Sequence, residues 1–420
     1  MGCAGALEWG RITELEETTS GDNMQHNDVS FRAPKNELAD AVSWVARSLP
    51  ARPAQAILRG MVITADDNGL ELAGYDYEVS TQVRIPAEVA EIGRFAVNGK
   101  LFAEIIAKLP NKPIDVTVDG SRAKVACGSS KFDLPLMNLD DYPQLPSVPA
   151  VTGTIDPNLF TEAIGQVAVA AGRDETLPML TGIRMEVEGK QVVLAATDRF
   201  RLAVRSFEWD PAQDDVQAAL LIPSKTLSET ARTLDTSSSE PVQFAVGTGS
   251  AEEIGSDGLL GIVDRQRQTT TRLLDAEFPK FRPLLPKTHS AIATIEIQPL
   301  LDAIQRVALL ADRSAQIRMN FSDGQVELSA GGAEEGSAQE VVPCAFVGED
   351  SLMIAFNYGY LKDGLSAVHT PRVVIGFTQP SRPAILIPEP EELPEADADG
   401  NFPTPETDFT YLLMPVRLPG

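Results

Sequence analysis

The feature that most constrains this chain is a unit of two helices and two groups of strands that occurs three times in 420 residues. The first helix of each copy has apolar residues at i, i+3, i+4 and i+7, the spacing of an amphipathic helix. These helices are predicted to start at Pro34, Pro157 and Gln298. Because the same order of elements occurs three times, we expect three similar domains in series.

A second helix follows the first by about 60 residues in each copy, and a short apolar strand leads into it. These second helices begin at Asn98, Pro223 and Asn357, after the strands RFAV, ALLI and LMIAF. Alternating strand patterns bounded by Gly, Asp and Pro fill the remaining sequence. The repeating unit therefore has about 120–135 residues and an α+β composition.

Proline-rich joints, YPQLPSVPAVTG and FPKFRPLLPKTH, separate the copies. They predict domains at 27–149, 150–288 and 289–420. Two segments lie outside the repeat. Residues 1–26 show no periodicity, and we expect a disordered extension or a start-site extension ahead of Met24. An acidic, Pro-rich and Gly-rich insertion at about 388–407 is predicted to be a solvated loop before the last strand, FTYLLMPVRL.

Charge and residue usage exclude several classes of protein. The net charge of −25 argues against a uniformly basic nucleic-acid coat, although it leaves room for cations gathered on one surface. The cysteines Cys3, Cys127 and Cys344 are scattered, which excludes a disulfide framework or a zinc ribbon. Three histidines without an HExxH pattern predict no metal site, and no apolar run is long enough to span a bilayer. We expect a cytoplasmic protein.

Catalysis is not expected. Asp76 and Asp198 could suggest a hydrolase, but GxSxG, P-loop and paired-acid motifs are missing from the sequence. The glycine-containing stretch at Gly247 has the wrong spacing for a nucleotide loop and is typical of a hairpin turn. We therefore predict no cofactor, and turnover of ATP or an ester by the pure protein would contradict this interpretation.

Four motifs in order, ATDRFRLAV, FPKFRPLLP, FNYGYLKDGL and YLLMPVRL, resemble the bacterial sliding clamp, the β subunit of DNA polymerase III. The resemblance covers about residues 28–420, and SWVARSLPARP and AAGRDETLPMLTG are most similar to actinobacterial members. It implies two chains closed head to tail into a ring of six domains, with helices lining the pore and sheets outside. Such a ring encircles duplex DNA without catalysis and tethers the polymerase catalytic subunit, the clamp loader and repair proteins.

A DNA-facing surface is predicted where cations cluster on and after the repeated helices. An acidic protein can hold DNA only if its cations lie where the phosphates run. The residues predicted to bind DNA are Arg52, Lys100, Arg173 and Lys225, with further cations at Arg47, Lys108, Arg232, Arg306 and Lys362. By resemblance, Arg52 and Lys225 match the family's DNA contacts best. The alternative is that these side chains only solvate exposed helix faces.

The resemblance also implies an apolar cleft between the second and third domains that accepts a short Gln/Leu/Phe peptide from partner proteins. The predicted cleft consists of Leu180, Thr197, Arg199, Phe200, Arg201, Leu202, Pro279, Leu284, Asn357, Tyr360, Ser381, Pro383, Leu412, Leu413, Met414, Pro415, Val416, Arg417 and Leu418. Two alternatives stay open. Half of YLLMPVRL could be a buried strand, and Asp198 could simply bond nearby amides in a turn.

Dimerisation in the family joins the first domain of one chain to the third domain of the other through edge strands. Phe132, Leu134, Leu309 and Leu310 are the predicted contacts here, although each could belong to a domain core. Arg199 and Phe200 replace smaller or imidazole residues of some members. A paralogous or decoy clamp that binds the same peptides, for example for inhibitor resistance, is therefore the alternative function.

Overall fold

The computed structural model describes residues 28–247, 258–311, 315–332 and 336–417. The predicted extension at 1–26 and the predicted cleft residue Leu418 lie outside these described residues. Each of the three copies contains the two predicted helices, and each helix begins within one residue of its predicted start.

The first domain consists of β1 Ser30–Ala33, α1 Lys35–Ser48, β2 Gly60–Asp66, β3 Gly69–Tyr75, β4 Val79–Ile85, β5 Glu88–Glu91, β6 Gly93–Asn98, α2 Gly99–Lys108, β7 Ile114–Asp119, β8 Arg122–Cys127 and β9 Ser130–Pro135. The second consists of β10 Gly153–Ile155, α3 Pro157–Ala168, the single turn α4 Pro178–Thr181, β11 Gly182–Glu188, β12 Gln191–Thr197, β13 Arg201–Glu208, β14 Asp210–Pro211, β15 Gln217–Pro223, α5 Ser224–Thr233, β16 Val242–Val246, β17 Leu259–Asp264 and β18 Arg267–Arg272. The third consists of β19 Thr288–His289, β20 Ala291–Glu296, α6 Ile297–Val307, β21 Gln316–Ser322, β22 Gln325–Gly332, β23 Gly336–Pro343, β24 Ala345–Val347, β25 Ser351–Asn357, α7 Tyr358–Ala367, β26 Arg372–Phe377, β27 Ala384–Pro388, β28 Phe402–Pro403 and β29 Phe409–Leu413.

Local sequence explains why these helices begin where they do. The side chain of Asp156 accepts hydrogen bonds from the amides of Asn158 and Leu159, and Pro157 occupies the first helical position. Asn98 and Asn357 cap α2 and α7 in the same way. The apolar stripe of each helix then packs on the sheets, as in α6, where every third or fourth residue is buried.

Sheets run across the domain boundaries. One nine-stranded sheet has the order β14-β10-β16-β17-β18-β4-β3-β2-β6, so that β18 of the second domain pairs with β4 of the first. A second nine-stranded sheet, β15-β11-β12-β13-β29-β27-β26-β20-β24, joins the second and third domains through β13 and β29. Smaller sheets, β5-β1-β7-β8-β9 and β23-β22-β21-β25, complete the first and third domains. Backbone hydrogen bonds therefore hold neighbouring domains together.

The hydrophobic core is continuous from the second domain into the third, whereas the first domain has a core of its own. At the second joint, Tyr411 of β29 is fully buried. Its ring lies against Gly364 of α7, where an added Cβ would come within 2.4 Å of it. Only glycine allows this close approach of helix to strand.

The acidic insertion is not the fully solvated loop that the sequence predicts. Its acidic residues at 391–400 are mostly exposed, but β28 pairs with β19 and the Phe402 side chain is buried. Phe402 belongs to a small apolar cluster on the outer face of the second nine-stranded sheet. Burial of one aromatic ring therefore anchors a segment whose composition is polar.

No helix within the described ranges is long and apolar enough to cross a membrane.

Candidate functional site

The centre of the predicted cleft is the joint between β13 and β29. In this antiparallel pair Leu202 lies opposite Leu412, and Arg201 lies opposite Leu413. All four side chains are buried. Leu412 and Leu202 belong to the outer apolar cluster, whereas Leu413 faces the main core. These residues form the base of the site. Tyr411, Leu412 and Leu413 are buried in succession, not only at alternate positions, because both faces of β29 are covered by apolar clusters.

Arg201 connects the two domains through its guanidinium. Its Nε donates to Asp198 at 2.9 Å, and its Nη1 donates to Asp363 of α7 at 2.5 Å and to the Tyr411 hydroxyl at 3.4 Å. The guanidinium also lies 4.3 Å from the centre of the Tyr360 ring. Burial disfavours the charged form, but Tyr411 and the two carboxylates outweigh it and raise the pKa of Arg201. The group is a permanent charge at the cleft base.

A tight turn presents Phe200 above this base. Asp198 accepts hydrogen bonds from the amides of Phe200 and Arg201, as the turn alternative predicts. Arg199 takes a left-handed backbone conformation with φ of 81°, which lifts its side chain and that of Phe200 outward. The Phe200 ring is 52% exposed and stacks on Tyr360 with the ring centres 6.2 Å apart.

The terminal segment after β29 passes beside this turn. The Met414 amide donates to the Phe200 carbonyl at 2.9 Å, and the Val416 amide donates to the Ala355 carbonyl at 2.8 Å. Met414 is 39% exposed, Pro415 and Val416 are half-buried, and Arg417 is exposed. An unbranched thioether beside an exposed aromatic ring is a surface that adapts to apolar side chains of different shape.

The linker at 278–289 forms the other side of the region. Phe278 and Phe281, which sequence reasoning missed, are buried in the outer cluster with Leu202 and Leu412. Their alternation with exposed neighbours in FPKFRPLLP could have indicated them. Pro279 is exposed, and Leu284 is 56% exposed, so both face solvent.

The remaining predicted cleft residues lie on several elements around this base. Leu180 is buried under the turn at Gly172, and Thr197 donates to the Arg201 carbonyl at 2.6 Å. Asn357 caps α7 with its side chain, which leaves its amide nitrogen available. Ser381 is exposed and Pro383 half-buried just before Ala384, which pairs with Leu413. The structure therefore brings β13, β29, α7 and the last hairpin together.

The cations predicted to bind DNA are exposed. Arg52, Lys100, Arg173 and Lys225 form no ion pair within the part of the chain that the structure describes. Arg232 and Arg306, in contrast, pair with Glu229 and Glu340. Unpaired cations keep their full charge for phosphates, whereas paired ones are already compensated.

A groove in the first domain collects two of these cations, Arg52 and Lys100, together with Arg59. It has a volume of about 340 Å3 and is lined by Leu49, Pro50, Ala51, Arg52, Arg59, Asn98 and Lys100. Arg59 is a residue that sequence reasoning missed, because it lies in a short 3-10 turn outside the repeated helices. None of the described residues that line the groove carries a carboxylate. The groove therefore presents a positive surface of a size that fits backbone phosphate groups.

β9 in the first domain and β23 in the third are both edge strands of their sheets. On β9, Phe132 is 38% exposed, whereas Leu134 is buried in the core of the first domain. The core alternative therefore holds for Leu134 in the single chain. After α6, Leu309 is 83% exposed and Leu310 is half-buried. An exposed Leu and Phe beside unpaired strand edges mark surfaces that favour association.

Comparison with known proteins gives the same order of domains. Residues 29–146, 154–280 and 282–397 match the N-terminal, central and C-terminal domains of the DNA polymerase III beta subunit. The chain is 43% identical to the beta sliding clamp of Streptomyces coelicolor, over 93% of this chain and all of that protein. It is 36% identical to the beta sliding clamp homolog GriR of Streptomyces muensis, over 92% of this chain and 99% of that protein. The crystal structure of the Bacillus subtilis clamp superposes with a TM-score of 0.83 at 25% identity, covering 93% of this chain and all of that one.

Proposed function

This chain belongs to the DNA polymerase III beta subunit family, the bacterial sliding clamps, and from that premise we propose how its own residues hold DNA and partner proteins. It is a processivity factor without catalytic activity. Two copies form a ring that encircles duplex DNA and tethers the replicative polymerase. We propose that the protein acts in the cytoplasm, because bacterial DNA replication takes place in that compartment.

Domain limits near 27–149, 150–288 and 289–420 follow from the two proline-rich joints. Strand pairs cross both joints, β4 with β18 and β13 with β29, so backbone hydrogen bonds connect neighbouring domains in addition to the linkers. This supports a rigid curved chain, which a six-domain ring requires.

The DNA contacts we propose are Arg52, Lys100, Arg173 and Lys225, together with Arg59 beside the first two. Their exposure and their freedom from carboxylates in the described chain support this assignment. Phosphate contacts carry no base information and weaken with salt. Both properties suit a ring that must slide, because topology rather than affinity keeps it on DNA.

The partner site we propose is the surface around Arg201, where Phe200, Tyr360, Leu284 and Met414 surround a base made by β13 and β29. The observation that carries this proposal is the cross-domain arrangement. Exposed Phe200, half-buried Tyr360 and exposed Met414 come from three separate segments that meet beside one buried, doubly paired guanidinium. A short apolar peptide can insert its anchors there, and an adaptable Met allows several partners to exchange.

A fluorescence titration with a labelled Gln/Leu/Phe peptide tests the site. We expect saturable binding by the native dimer, and we expect Met414→Ala to weaken it by about tenfold, because truncating an interface anchor typically costs more than 1 kcal/mol. Met353→Ala is the matched control, since Met353 is 41% exposed on β25 and lies outside the proposed surface. Equal affinities for native protein and Met414→Ala would refute the proposed location.

The paralogous or decoy clamp has less support. Identity is higher to the Streptomyces coelicolor clamp, at 43%, than to the clamp homolog GriR, at 36%. Replacement of the host clamp gene with the gene for this chain separates the two functions. Growth supported by this chain alone identifies a replicative clamp, and peptide binding without growth would favour the alternative.

A further inference from the structure

The two domain joints inside the chain are copies of each other, down to the strand register. In the first joint Val79 lies opposite Thr271 and Val83 opposite Arg267. In the second joint Arg201 lies opposite Leu413 and Arg205 opposite Phe409. Equivalent residues of the three domains can be found by following the paired residues from strand to strand, starting at the repeated hairpins and first helices. By this count Val79 is equivalent to Arg201, and Thr271 is equivalent to Leu413. One geometry therefore joins each domain to the next.

The same count identifies the strands that would form a third joint. β23 is the third-domain equivalent of β4 and β13, and β9 is the first-domain equivalent of β18 and β29. Both are edge strands. A second copy of this chain is the occupant that fits, since it brings a free β9 to a free β23. Transfer of the register places Gly336 opposite Leu134 of the partner subunit, and Ala338 opposite Phe132 of the partner subunit.

In each in-chain joint, the acidic sixth residue of the first helix contacts a nitrogen-bearing side chain of the next domain. Asp40 of α1 accepts from Arg267 of the second domain at 2.5 Å. The Glu162 carboxylate of α3 lies 3.3 Å from Nδ1 of His369 of the third domain, a contact that is an ion pair when the imidazole is protonated. The tenth residues of the same helices, Trp44 and Gln166, donate to the tenth residues of the next domain's second helix, at 3.1 and 2.9 Å.

The third domain keeps the acid but has no domain after it. The sixth residue of α6 is Asp302, whose only hydrogen bond in the described chain is from Gln298 one turn earlier. In the first domain, the position equivalent to His369 is Pro110. Lys108 lies two residues before it and Lys112 two residues after it. Both lysines are exposed and form no ion pair within the described ranges.

We propose that Asp302 of each subunit forms an ion pair with Lys108 or Lys112 of the partner subunit, at both closing joints of the ring. The ion pair lies beside the β23–β9 strand pair and repeats the role of Asp40 and Glu162. The proposal rests on the homodimer described above. An ion pair of this kind fixes the choice of partner face more than it adds affinity, because exposed pairs are weak.

Charge reversal in mixed rings tests the pair. One chain carries Asp302→Lys, and the other carries Lys108→Glu with Lys112→Glu. In each homodimer like charges meet at both joints, so we expect its dissociation constant to rise about tenfold at low salt. In the heterodimer one joint has the native pair and the other has the reversed pair. Native mass spectrometry of the mixture should therefore show heterodimers well above the half that random exchange gives.

If both variants dimerise as tightly as native protein and the mixture contains only the random fraction of heterodimers, the proposed ion pair is refuted. The homodimeric ring itself would still stand. A native chain that stays monomeric at micromolar concentration would instead contradict the homodimer itself, so the two failures are distinguishable. Glu395→Lys, in the exposed acidic insertion, makes the same change in net charge away from the joint and should leave dimerisation unchanged. Circular dichroism of each variant confirms that it is folded.

Discussion

Arg201 shows what a single residue contributes to this protein. Its guanidinium bonds Asp198 in its own domain and Asp363 in the next, and it is 7% exposed. A lone buried charge would be expensive, so each carboxylate is needed to hold the arginine in place. The residue therefore stabilises the second joint and supports the surface above it at the same time.

Loss of this charge should be costly. We expect Arg201→Ala to lower the free energy of unfolding by about 2–4 kcal/mol, because the half-buried Asp198 loses its charged partner and the guanidinium leaves a space at the domain joint. Urea denaturation followed by circular dichroism measures the change. Arg199→Ala is the control: Arg199 is exposed and forms no ion pair in the described chain, so its removal should change stability by less than about 0.5 kcal/mol. Equal effects of the two variants would contradict the role of Arg201.

At the scale of elements, the pairing of β28 with β19 attaches the acidic insertion to the third domain. His289 of β19 is buried, with its Nε2 2.8 Å from the Thr404 hydroxyl, and its ring lies against Gly376. Burial lowers the pKa of His289 from 6.5 to about 4. The folded protein therefore holds this imidazole neutral at pH values where the unfolded chain protonates it.

The sign of the resulting pH dependence follows from the lowered pKa. Stability from His289 is complete above pH 6.5 and is lost as the pH falls toward 4, by about 3 kcal/mol in total. Unfolding free energies at pH 7 and pH 4 should therefore differ less in His289→Gln than in native protein. The exposed His369 is the control, and His369→Gln should keep the native difference to within about 1 kcal/mol. Identical pH profiles for native protein and His289→Gln would refute this account.

For the whole molecule, the distribution of charge matters more than its sum. The protein has a net charge of −25, yet Arg52, Lys100, Arg173 and Lys225, the residues predicted to bind DNA, form no ion pair within the described ranges. Cations on the outer strands of the first domain are mostly paired, as in Lys124 with Asp119 at 2.5 Å and Arg122 with Asp133 at 2.6 Å. If the proposed DNA-binding residues line the pore of the ring, this distribution of charge attracts DNA there rather than to the outer strands.

Removal of the free cations should reduce the salt dependence of DNA binding. For Arg52→Ala combined with Lys100→Ala and Lys225→Ala, we expect weaker binding to a short duplex. The slope of log K against log salt should become shallower by about 0.9 for each phosphate that the variant no longer neutralises. Fluorescence anisotropy at several salt concentrations measures it, and the ion-paired Lys124→Ala is the control. An unchanged slope in the triple variant would place the DNA-binding surface elsewhere.

The sequence by itself determined the threefold repeat, the helix starts and the turn at Asp198, because hydrophobic periodicity, helix caps and Asx turns act over a few residues. It also carried the motifs that indicate the family. Only the tertiary structure decided that β18 pairs with β4 and β29 with β13, that Phe278 and Phe402 are buried, and that Arg59 shares a groove with Arg52. Phe132 and Leu134 share one face of β9, and the pattern alone did not say that only Leu134 reaches the core. These features depend on contacts between residues far apart in the chain, which a local pattern does not encode.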